Sequence, residues 1–150
     1  MLQRIQTIFL LIAAGLITAM FFLPLASFII DNHVYVFKYR AIFSENATPW
    51  IQTSALAILI AVILLLLLIT IILYKHRRLQ MRFCIYNIFL NLGFYGLFYF
   101  YYYQVVSIHK LIYSFEIASV FPVITIILLW LAFRAIRKDD ILVRSVDRIR

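Results

Sequence analysis

The sequence predicts an all-α integral membrane fold: a four-transmembrane-helix bundle with a short β-like extracytoplasmic loop and a cytoplasmic C-terminal helix extension, one membrane domain over residues 1–150. Three observations predict it. Hydrophobic residues make up 66% of the chain and charged residues 13%, with a mean hydropathy of +1.02, whereas soluble domains are roughly 45–50% apolar and about 25% charged. Every formal charge lies outside four intervals, Ile5–Ile30, Asn46–Tyr74, Phe83–Ile108 and Ile117–Phe133; a hydrocarbon core about 30 Å thick takes roughly 20 helical residues to cross, so four crossings fit. The basic residues, finally, are unevenly divided among the segments between those intervals.

The first span is expected at about residues 8–30. Its charge-free run is longer than the apolar region of a secretory signal, and no small-x-small cleavage site follows it. Ala13, Ala14, Gly15 and Ala19 are small enough to let another helix approach, and Pro24 kinks or ends the helix because it lacks an amide. The polar segment that follows contains Val34–Arg40, rich in β-branched and aromatic residues, and reads as a short strand or hairpin. Asn46, Ala47 and Thr48 form a glycosylation sequon, which matters only in a secretory pathway.

Span two, about 51–74, has no polar side chain from Ala55 to Ile69 and is bracketed by Trp50 and Tyr74, aromatics that favour the headgroup level. Span three, about 83–106, differs in kind. It carries Asn87, Asn91, Gly93, Gly96, Gln104 and six tyrosines. Span four, about 119–136, is entered through Pro122 and carries Trp130; the tail 137–150 continues it as an amphipathic helix with Leu142, Val146 and Ile149 on one face.

With four crossings, the N-terminus, the loop 75–82 and the C-terminus share one side and hold eleven of the fourteen Lys and Arg, leaving Lys38, Arg40 and Lys110 opposite. Lys and Arg flanks resist translocation, so both termini are expected in the cytoplasm. The basic residues are thus topology signals and lipid contacts, and no nucleic-acid partner is expected.

The opening MLQRIQTIFLLIA, Met1–Ala13, the basic loop KHRRLQMR, Lys75–Arg82, and the ending RAIRKDDILVRSVDRIR, Arg134–Arg150, resemble the small bacterial four-span membrane proteins of domain-of-unknown-function family 4293. The resemblance implies a bacterial inner-membrane protein with cytoplasmic termini. It carries over no catalytic residue, since the family has no established activity.

Candidate chemistry is sparse. Asn87, Asn91, Tyr95 and Tyr99 recur every four residues along span three and predict an intramembrane polar face, serving either as packing glue between helices or as the lining of a small-ligand path. The hydroxyls of Thr18, Thr53, Ser54, Thr70 and Thr125 are expected to bond back to their own helices. The single cysteine, Cys84, excludes an internal disulfide and thiol-relay chemistry. No acidic residue interrupts a span, which disfavours proton-coupled transport. His33 and His109 with Glu116 are too few for a closed zinc site. No catalytic, cofactor-binding or metal residue is expected, and no cofactor.

Arg137, Lys138, Leu142, Arg144, Val146, Arg148 and Ile149 form a basic amphipathic surface suited to anionic lipid or to a partner. The expected function is that of a non-enzymatic accessory or assembly subunit interacting with other inner-membrane proteins. The alternative is a transporter or carrier of a small apolar or neutral molecule along the polar face of span three.

Overall fold

The computed structural model of the chain describes residues 2–30, 33–43, 49–106 and 112–147. Four long helices, α1 (Leu2–Ala19), α2 (Ser54–Ile72), α3 (Arg77–Val106) and α4 (Phe121–Asp147), enclose a common core. Neighbours in the ring are α1 with α2, α2 with α3, α3 with α4 and α4 with α1, the last pair making the most extensive contact. A five-stranded antiparallel sheet, β1 (Ala26–Ile30), β2 (His33–Phe37), β3 (Ala41–Phe43), β4 (Pro49–Gln52) and β5 (Ile112–Phe115), is ordered β4-β3-β2-β1-β5. Because α1 leads into it, α2 leaves it, α3 leads into it and α4 leaves it, the helices alternate in direction and the sheet closes one end of the bundle.

The inward residues repeat at alternating spacings of three and four on every helix. They are Gln6, Leu10, Ala13 and Ile17 on α1; Leu56, Ile60, Ile63, Leu67 and Thr70 on α2; Gln80, Cys84, Asn87, Asn91, Phe94 and Phe98 on α3; Pro122, Thr125, Leu129, Ala132 and Ile136 on α4. This heptad spacing keeps one seam of a helix turned to its neighbours and is the pattern of a slightly coiled bundle. The outward faces are also apolar, with Ile58, Val62, Leu65, Leu68 and Ile72 exposed on α2 and Ile124, Ile127 and Trp130 on α4. A helix that is apolar all round suits a hydrocarbon solvent. Ser54–Ile72, Arg77–Val105 and Ile117–Val143 are long and apolar enough to cross a membrane, while Ile5–Ala19 is a shorter apolar helix. The architecture is compatible with a helical membrane protein.

Several element boundaries differ from the sequence expectation. The first helix is Leu2–Ala19, not 8–30: amides of Phe21, Phe22 and Leu23 turn back onto Thr18 and Ala19. Past Pro24 the apolar run ASFII becomes a central strand, β1, paired with β2 from Ala26↔Phe37 to Ile30↔His33 and with β5 from Ala26↔Phe115 to Ile29↔Ile112. The short β-like loop is therefore a sheet drawn from both loops at that end. Residue 51 begins no helix, since β4 precedes α2 with Thr53 at its N-cap, and α3 starts at Arg77, ahead of residue 83. The tail does continue span four, through Asp147. The close helix approach anticipated at Gly15 is absent, because a Cβ there would meet nothing within 4 Å, and Gly93 and Gly96 are equally open. The sequon Asn46–Thr48 and His109 lie outside the described residues.

An aromatic column joins sheet to bundle and uses three of the aromatics in the second half of α3, Phe94, Phe98 and Tyr102. Phe94 stacks on Phe98, Phe98 on Phe37 at a centroid distance of 5.3 Å, and Phe37 on Phe28. Phe28 meets Tyr102, which meets Phe115 of β5. Each such pair adds about 0.5–1.5 kcal/mol beyond the apolar area it buries.

Candidate functional site

The four positions of the expected polar face separate in space. Asn87 and Asn91 are fully buried in the bundle core, Tyr95 is half-buried between α3 and α4, and Tyr99 is 65% exposed. Helix geometry explains the separation. A residue advances about 100° around the axis, so steps of four precess by about 40° each and Tyr99 ends far from the direction of Asn87. The stripe that stays inward alternates threes and fours, and it includes only the two asparagines.

Two contacts fix the register of α3 against α4. At the end away from the sheet, Arg77 forms an ion pair with Asp139 at 3.2 Å and donates to its backbone carbonyl at 3.1 Å. At the sheet end, the Tyr95 hydroxyl donates to the carbonyl of Ser119 at 2.7 Å and accepts from the Val123 amide at 3.2 Å. Asn91 is fourteen residues beyond Arg77, and Thr125 is fourteen before Asp139, so with equal rise along both helices the two occupy one level of the core.

That level holds unpaired oxygens. Asn87 Nδ2 donates to the Phe83 carbonyl at 3.1 Å and Asn91 Nδ2 to the Asn87 carbonyl at 2.8 Å, but Oδ1 of each is buried with no hydrogen-bond partner, as is Oγ1 of Thr125. Thr18 and Thr70 return their hydroxyls to the carbonyls of Ala14 and Leu66, as expected for threonine in a helix. Thr125 departs from that pattern. Gln6, at the opposite end of the core, also has an unpartnered amide nitrogen. Burying a polar atom without a partner costs about 1–3 kcal/mol, so the three oxygens are places where a hydrogen-bond donor would be bound favourably, whereas the Gln6 nitrogen calls for an acceptor.

Tyr95 has a role that its four-residue spacing does not reveal. The first amides of a helix lack intrahelical partners, and Pro122 contributes none. The phenol supplies an acceptor to Val123, so a side chain of α3 caps α4. On the sheet side of this junction, Ser27 Oγ donates to Glu116 Oε1 at 2.8 Å and the Glu116 amide donates to the Leu25 carbonyl at 3.2 Å, which ties β1 to the start of the turn leading into α4.

The basic residues gather at the other end. A groove of about 580 Å³ beside α3 and α4 is lined by His76, Arg77, Arg78, Leu79, Arg82, Asp140 and Val143. One of about 460 Å³ between α1 and α4 is lined by Phe9, Leu131, Arg134, Ala135, Arg137, Lys138 and Ile141. Of the expected docking surface, Arg137, Lys138 and Leu142 are exposed on α4. Arg144 and Val146 belong to the same helix, and Arg148 and Ile149 lie outside the described residues. Among the described residues no three His, Cys, Asp or Glu side chains are grouped so as to hold a metal ion.

The sequence profile of the family described as "Domain of unknown function (DUF4293)" matches residues 2–149. The chain belongs to that family. No curated protein matches it. The match runs through all four helices and the sheet of this family member, so the core asparagines, the Tyr95 cap and the basic end all fall inside the matched region.

Proposed function

We propose that this family member is a non-enzymatic integral membrane protein of the bacterial inner membrane that crosses four times, keeps both termini in the cytoplasm, and serves as an accessory or assembly subunit for other membrane proteins. The observation that carries this reading is the character of the core: the asparagines that would line a path occupy heptad positions among packed Leu, Ile, Phe and Ala. Their amide nitrogens bond back to carbonyls of the same helix, so they sit within a packed seam and line no open path. The basic residues at the end opposite the sheet support the cytoplasmic placement of the termini. The sheet, with Ile29, Val34 and Phe115 exposed on it, and the basic α4 extension then offer contact surfaces on opposite sides of the membrane.

Purification in mild detergent followed by mass measurement of the intact assembly tests the reading. A partner protein at fixed stoichiometry supports it, and a lone chain refutes it. A reporter fused to the C-terminal end should be active only in the cytoplasm.

The unpaired oxygens of Asn87, Asn91 and Thr125 favour a second reading, a carrier of a small neutral molecule able to donate hydrogen bonds. It requires a co-purifying small molecule that is lost when Asn87→Leu and Asn91→Leu are combined.

A further inference from the structure

We infer that the groove between α1 and α4 at the basic end is a binding site for the phosphodiester headgroup of an anionic phospholipid. The inference rests on the membrane reading above and assigns it a specific ligand site.

Its lining is divided by chemistry. Phe9, Leu131 and Ala135 form a half-buried apolar floor, and Arg134, Arg137 and Lys138 are exposed at its rim. Depth matches as well. The charge-free run Ile117–Phe133 rises about 25 Å at 1.5 Å per residue, so across a hydrocarbon core about 30 Å thick Arg134 lies within a side chain's reach of the headgroups. Of the two neighbouring carboxylates, Asp139 is engaged by Arg77 and Asp140 lines the groove beside α3, so neither is among the residues lining this groove. The guanidinium of Arg134 lies over the Trp130 ring at 5.6 Å, and Trp130 is itself 51% exposed one turn toward the middle of the bundle. A lipid seated here would set its phosphate among the three cations and its acyl chains against Phe9, Leu131 and the face bearing Trp130. A free phosphate would leave the apolar floor unused, and basic pockets between helices at the cytoplasmic face suit anionic headgroups.

Trp130 provides the readout. The full chain carrying Trp50→Phe, which leaves one tryptophan, is reconstituted into phosphatidylcholine vesicles containing an equal mole fraction of either brominated phosphatidylglycerol or brominated phosphatidylcholine. The expected result is quenching about twofold or more stronger with the anionic lipid, falling to parity in Arg137→Gln plus Lys138→Gln and retained in Arg78→Gln plus Arg82→Gln on α3. Equal quenching by both lipids in the parent protein, an unchanged preference in the Arg137/Lys138 variant, or loss of the preference in millimolar inorganic phosphate would overturn the site. Quenching by brominated phosphatidylcholine reports insertion independently, so its absence refutes the membrane reading, and an equal response to both lipids refutes only the site.

Discussion

The Tyr95 phenol oxygen accepts a hydrogen bond from the Val123 amide at 3.2 Å, so that one helix of the bundle caps the next. The same hydroxyl donates to Ser119 at 2.7 Å. Tyr95→Phe removes both bonds while keeping the ring. Loss of a helix cap typically costs about 1 kcal/mol and up to about 2, and thermal unfolding in detergent should show it as a lowered midpoint. Tyr99→Phe, at an exposed position on the same helix, should leave the midpoint unmoved. Equal behaviour of the two variants would refute the cap.

Thr125→Val tests the unpaired oxygen. Its hydroxyl is buried with no partner, so an isosteric apolar replacement should raise stability by about 1 kcal/mol. Thr70→Val removes a hydroxyl bonded to Leu66 at 2.6 Å and should not stabilise. A destabilised Thr125→Val protein would mean that the hydroxyl is held by a bound donor, which favours the carrier reading.

Phe98 stands between Phe94 of its own helix and Phe37 of the sheet. Truncation to alanine should cost about 3–5 kcal/mol and loosen sheet from bundle. Limited proteolysis from the sheet side should then cut within the strands before any helix is lost. A variant cut no faster than the parent would show that the column does not couple the two layers.

The Arg77–Asp139 pair is partly exposed, and a double-mutant cycle with Arg77→Gln and Asp139→Asn should yield a coupling of about 0.2–1 kcal/mol. Molar salt should shrink it. A coupling well above that range would place the pair in a drier setting than its exposure suggests.

What the sequence disclosed follows from how local each signal is. Charge-free intervals located α2, α3 and α4 because each is a single long apolar helix whose backbone is satisfied from within. The stretch ASFII was read as part of the first span because a short, largely apolar strand and the end of an apolar helix have the same continuous run. Its true state depends on pairing with β5, which lies far along the chain. Asn87 and Asn91 were recognisable as core polar residues, but Tyr95 and Tyr99 were not separable from them without the alternating three-four seam that all four helices share. The Tyr95 cap depends on the α3–α4 register, a property of two helices that neither sequence segment carries alone.

β1 lies between strands made at different times, with β2 following it at once and β5 arriving only after α2 and α3 have been synthesised. During translation one flank of β1 therefore waits without its mate, its main-chain donors and acceptors open to any extended segment nearby. A nascent chain halted before residue 112 would hold this gap indefinitely. Synthesis of β5, after α3 and ahead of α4, is thus the event that seals the sheet.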